Sequence, residues 1–168
     1  MLATLLAFDI IPQGGDMPGG GDTGTVIATP ARTAVLAIAQ PATSVASGVP
    51  LGATVWSQPF DPADHVPFAI DFAALLDEGE AIVEIEAITM SAAGAALGVA
   101  VDDAAPYGPI IDTAGKKVQL WFVVDDAHWS ETAFSASGVQ IPVAVRVATA
   151  GTPPKRFERT CVLMVRQL

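Results

Sequence analysis

The chain has 168 residues, 18 acidic against 8 basic side chains for a net charge of -10, and 51% hydrophobic residues. That length suits one domain, whose folding removes roughly 70% of the extended chain's surface from water. The acid excess excludes nucleic acid as a partner, because phosphate binding needs a basic face, and the single Cys161 excludes an internal disulfide or a Cys-built zinc site.

The opening MLATLLAF is apolar, lacks a basic n-region and is too short to span a bilayer, so neither a signal peptide nor a membrane partner is expected. Residues 1–53 are expected to be an extended Gly/Pro/Ala-rich N-terminal arm and linker. Phe8 is the only aromatic residue in the first fifty, and IPQGGDMPGGGDTG is turn-rich and pliant. TVIATP and RTAVLAIAQP each suit a strand, and ATSVASGVPLGA suits a linker. Leu2, Leu5, Leu6, Phe8, Ile10 and Ile11 form an apolar stub, and these six are the candidate partner contacts.

From residue 54 to 168 the pattern turns to period two. In VPFAIDFA, Val66, Phe68, Ile70 and Phe72 share one face, with Pro67 and Ala69 on the other. LLDEGE turns around Gly79, and AIVEIEAI then predicts Val83, Ile85 and Ala87 inward with Glu84 and Glu86 outward. Short strands are also expected in AALGVAV and YGPIID. KKVQLWFVVD aligns Val118, Leu120, Phe122 and Val124, and VQIPVAVRVA aligns Val139, Ile141, Val143, Val145 and Val147. TAGTPPK closes a hairpin onto RFERTCVLMVRQL, with Cys161, Leu163 and Val165 inward. Pro67 and Pro142 are expected to face outward at strand starts or an edge. Trp56 is expected as a lid over one end. The sum predicts an all-β fold, an immunoglobulin-like antiparallel β-sandwich preceded by the arm.

The search for chemistry yields little. Asp61, Asp64 and His65 could ligate a metal, but Asx turns explain those aspartates more simply; the loop of His128 with Asp125, Asp126, Glu131 and Trp129 could bind a divalent ion or a sugar. No EF-hand spacing, G-x-S-x-G, P-loop, H-E-x-x-H or dinucleotide fingerprint occurs, and Ser130 beside His128 has poor triad geometry. The expectation is a non-enzymatic chain with no catalytic residue, cofactor or metal. Cys161, inside CVLMV, reads as a buried inert thiol. Trp121, Trp129 and Tyr107 could form a glycan platform; packing at a subunit edge is the plainer reading. Arg146, Lys155, Arg156, Arg159 and Arg166 crowd the last strands, which suits either head-to-tail packing of copies or pairs within the domain.

The run from Trp56 through FDPADHVPFAIDFAALLDEGEAI, then KKVQLWFV and the closing VAVRVATAGTPPKRFERTCVLMVRQL, resembles the small immunoglobulin-like structural modules of tailed bacteriophages. Such modules open with Trp and a DPD-like turn, continue with an alternating strand and a Gly-acid turn, and close with a hairpin whose turn reads T-x-x-G-[RK]. The likeness departs at TPPK, and the arm has no counterpart. It implies a virion structural protein made in the host cytoplasm, foremost a capsid decoration (cement) protein. That protein would bind the major capsid protein, or other virion proteins, through the arm and the sandwich edges, and self-associate, a trimer being one form. The alternative it implies is a tail or fibre-tail adaptor.

Overall fold

The computed structural model describes residues 22–38 and 52–168, so Leu2, Leu5, Leu6, Phe8, Ile10 and Ile11 lie outside the described residues. The described elements are β1 (Asp22–Gly24), β2 (Thr33–Val35), β3 (Thr54–Val55), β4 (Pro67–Asp71), β5 (Ile82–Met90), α1 (Ala92–Ala96), β6 (Val99–Val101), β7 (Ile110–Asp112), β8 (Lys117–Val124), β9 (Val139–Thr149) and β10 (Arg156–Val165). They build two sheets, ordered β1-β7-β8-β4-β2 with β6 also on β8, and β3-β10-β9-β5. The arrangement is all-β and sandwich-like: Phe68, Ile70, Val118, Leu120 and Phe122 of one sheet share a single core with Ile141, Val143, Val145, Cys161 and Leu163 of the other. No helix among the described residues is long and apolar enough to cross a membrane.

Alternation places most of this core correctly. Val118, Leu120, Phe122 and Val124 are buried, as are Ile141 through Val147 at every second position and Cys161, Leu163 and Val165. The β9–β10 hairpin pairs from Val139↔Val165 to Ala148↔Arg156 across the TAGTPPK turn. Val99–Val101 and Ile110–Asp112 are strands, although part of the AALGVAV run belongs to α1, whose Ser91 Oγ caps the Gly94 N–H at 3.3 Å.

Four expectations need correction. The sheets are mixed rather than antiparallel, because β1 pairs β7, β2 pairs β4 and β3 pairs β10 in parallel. These are the strands that arrive by long connections rather than through a hairpin. In β5, Val83 is 57% exposed. The ladder with β9 skips Val83 and Glu86, so two bulges reset the alternation and Ile82, Ile85 and Ile88 turn inward at spacings of three. Trp56 is no lid. It is 1% exposed and sits edge-on to Phe68 and Phe122, with centroids 5.8 and 5.7 Å away.

Pro67 begins its strand but is buried. Pro142 lies inside a central strand, where it is tolerated for a specific reason. Its carbonyl accepts from Ser91 N at 3.0 Å, on the side where β5 has just ended and α1 begins. Backbone N–H and C=O of one strand residue point the same way, so the missing N–H falls where no ladder partner remains.

The outer face of the first sheet is covered by the chain itself. β1 lies at one edge of that sheet and β2 at the other, so residues 25–32 cross from edge to edge. Gln119 alternates with the inward Val118 and Leu120 and therefore points out, yet it is buried. Its Oε1 accepts from Ile27 N at 2.7 Å and Ala28 N at 3.0 Å. Beneath this strap Ala69, the cross-strand partner of Gln119, is fully buried. One carboxamide thus satisfies two backbone donors that have no strand to pair with. Gln119→Leu removes that acceptor and is expected to cost about 1–3 kcal/mol in urea unfolding. Amide hydrogen exchange should speed up at Ile27 and Ala28 while the β9–β10 ladder stays protected; unchanged protection there would disprove the strap's dependence on Gln119.

Candidate functional site

The aspartates spend their oxygens on turns. Asp61, Asp71, Asp102 and Asp125 each accept, through Oδ1, the N–H two residues on: Ala63, Ala73 and Ala104 at 2.9 Å and Ala127 at 3.1 Å. Asp112 Oδ1 takes two donors, Lys116 N at 2.6 Å and Lys117 N at 2.8 Å. No three His, Cys, Asp or Glu side chains converge to hold a metal among the described residues. His65 Nε2 lies 3.1 Å from Asp102 Oδ2. His128 reaches only Glu131, at 3.2 Å, with its ring against Gly98, where a Cβ would meet it at 2.7 Å.

Of the three aromatics considered for glycans, two come together. β6 pairs with Phe122–Val124 of β8 and β7 with Val118 and Gln119, so the loop between them bulges beside Leu120 and Trp121. Tyr107 on that loop packs on Trp121 at 5.0 Å, and His65 closes the group at 4.3 Å from Tyr107 and 5.1 Å from Trp121. The rings meet at interplanar angles of 59° to 63°, so they cover one another instead of offering one flat platform. Trp129 makes no ring contact with them; its indole N–H donates to Val124 O at 2.9 Å. This cluster anchors the loop. Sequence reasoning missed His65 as its third member because the contact crosses from one loop to another.

A charged network gathers at the end of the molecule that carries the β9–β10 turn. Lys155 Nζ bridges Asp77 and Glu80, Thr149 Oγ1 donates to Glu80 Oε1 at 2.8 Å, and Lys116 Nζ donates to the Glu80 carbonyl. The Glu80 side chain is 8% exposed, and Asp77 N donates to its Oε2 at 2.9 Å. That backbone bond first, then Thr149 and Lys155, hold the Glu80 carboxyl below its usual value of 4.5. Its bonds to Asp77 and Glu80 raise Lys155 above 10.5. Nearby, Glu86 joins Arg146 and Arg156, and Arg146 also meets Glu158, so these basic residues of the last strands pair within the domain.

Among the described residues β5 is the end strand of the second sheet, with Ile82 N donating to Gly115 O at 2.8 Å. Where β5 begins, a groove of about 350 Å³ separates it from the other sheet, lined by Thr23, Ala81, Ile82, Val83, Ile111 and Asp112. Val83, 57% exposed, stands at the mouth of this groove.

No protein-family model, curated protein or solved structure matches the chain.

The charged network sets a pH dependence. A carboxyl with a lowered folded pKa stabilises the fold above its unfolded value and loses that contribution as pH falls through the folded value. The lysine, raised, stabilises below 10.5 and loses its share as pH climbs through its folded value. Melting temperature should therefore drop as pH falls below 4.5, and Glu80→Gln should flatten that limb of the profile. An unchanged acid limb in the variant would show that other carboxylates govern it.

Proposed function

We propose that the chain is a non-enzymatic structural protein of a tailed-phage virion, its described body an immunoglobulin-like module that joins other virion proteins. One observation carries the reading: the residues behind the phage-module resemblance stand at the junctions of this fold. Trp56 enters the core, Asp61 forms the turn that follows, Pro67–Asp71 is a central strand, Gly79 takes a φ of 77° in its turn, and Thr149 and Lys155 flank the closing hairpin. Side chains at such junctions define a mechanical part, and multiple repeated contacts give such a part its hold.

The first form of this role is capsid decoration, with Leu2, Leu5, Leu6, Phe8, Ile10 and Ile11 and the sandwich edges contacting the major capsid protein. A second form, a tail or fibre-tail adaptor, is favoured by the strap. Residues 22–38 are bound to both edges of their own sheet, which shortens the arm that decoration would lay along neighbours.

Copy number separates the two. Particles purified from cells producing the chain from its native locus are resolved on a gel, and the chain is quantified by mass spectrometry against the major capsid protein. Decoration predicts amounts comparable with the capsid protein, and an adaptor predicts a small fraction of it. A chain absent from purified particles overturns the proposal in both forms.

A further inference from the structure

We propose that the loop between β6 and β7, residues 102–109, is a pH-sensitive flap, held more tightly to the body when His65 takes up a proton and loosened when His65 gives it back. Much of this loop is tied to itself. Ala104 N donates to Asp102 Oδ1 at 2.9 Å and Tyr107 N to Ala104 O at 2.7 Å, and residues 103–106 are all exposed. Its backbone meets the body at Asp102 N, which donates to Trp121 O at 2.8 Å, and rejoins the sheet at Ile110. Between those points the side chains of Asp102 and Tyr107 hold it, and both reach His65.

His65 is fixed from its own side. It follows the turn closed by Asp61, whose Oδ1 takes Ala63 N and whose backbone carbonyl takes Asp64 N, both at 2.9 Å. Its Nε2 lies 3.1 Å from Asp102 Oδ2, the oxygen left over once Oδ1 has received Ala104 N. Its ring centroid is 4.3 Å from that of Tyr107 and 5.1 Å from that of Trp121. A proton on His65 therefore strengthens two kinds of contact at once. It turns the approach to Asp102 into a charge-assisted pair, and it places a cation beside two aromatic rings within the roughly 6 Å over which a ring quadrupole attracts it. The side chains of His65 and Asp102 are 35% and 17% exposed, so water screens the pair only in part.

The groups around His65 set the direction of the response. Asp102 is its ion-pair partner and makes no other salt bridge among the described residues. Tyr107 on the flap and Trp121 on β8 face it as neutral rings. Asp64 on its own loop and Asp103 on the flap are exposed, and neither pairs with it. Asp103 also lines, with Asp22 of β1, a cavity of about 130 Å³ between the flap and that strand, where like charges oppose closure and the tie through His65 offsets them. The protonated ring has contacts in the closed flap that it lacks in an open one. Closure therefore gains as pH falls and weakens as pH rises across about pH 5 to 8, the range in which histidine changes charge.

The test uses the full chain and follows amide hydrogen exchange at Ala104 and Tyr107, whose N–H groups are bonded within the flap. Rates are taken at about pH 5 and about pH 8, each divided by the intrinsic rate at that pH, with the β9–β10 ladder as internal reference. Protection should be about threefold to tenfold higher at the lower pH. In His65→Gln, a polar replacement at an accessible position, protection should be low and equal at both pH values. Asp102→Asn keeps an oxygen for Ala104 N but loses the charge, and should retain a smaller response through the rings. His128→Gln, which removes the other histidine, should respond as the native chain does. Equal protection at both pH values in the native chain overturns the proposal. So does a pH response that survives His65→Gln or one that vanishes in His128→Gln. The result bears on the flap alone and is independent of where the chain resides.

Discussion

Trp56 ties the two sheets together. Its backbone N–H donates to Val162 O of β10 at 3.2 Å, and its indole N–H donates to Ala69 O of β4 at 2.7 Å. One residue thereby belongs to the hydrogen bonding of both layers while its ring lies edge-on to Phe68 and Phe122. Phe60 extends the cluster at 5.9 Å from Phe68, and its backbone bonds Met164 O and Arg166 N in the second sheet. Each edge-to-face pair adds about 0.5–1.5 kcal/mol beyond the area it buries. The cluster fills the space between the two layers.

The two sheets manage their edges differently. The first is bounded on both sides by a single stretch, residues 22–38, which returns across the outer face and is held there by Gln119. The second has the two-residue β3 on one side and the nine-residue β5 on the other. Two bulges in β5 increase its local twist and expose Val83, which narrows the range of strands that can pair with it.

The acidic side chains, which in a sequence invite metal or catalytic readings, form Asx turns, pair with Arg146 and Arg156, or brace the β9–β10 turn through Glu80. Their shared job is to fix loops. The aromatic group of His65, Tyr107 and Trp121 fixes another.

The sequence by itself determined the strands of strict alternation, the closing hairpin and the inert Cys161, because a two-residue period with one greasy face admits one arrangement toward a core. It also marked Asp61 as a turn former, since an Asx turn is local. Only the tertiary structure decided the inward set Ile82, Ile85 and Ile88, because a bulge is defined by the partner strand and leaves no mark on its own period. The same holds for Gln119, a polar residue on an outward face whose burial depends on a segment some ninety positions away. Parallel pairing at the edges, the place of Trp56 between the layers and the position of β5 at the end of its sheet also arise from contacts distant in the chain, which no local pattern encodes.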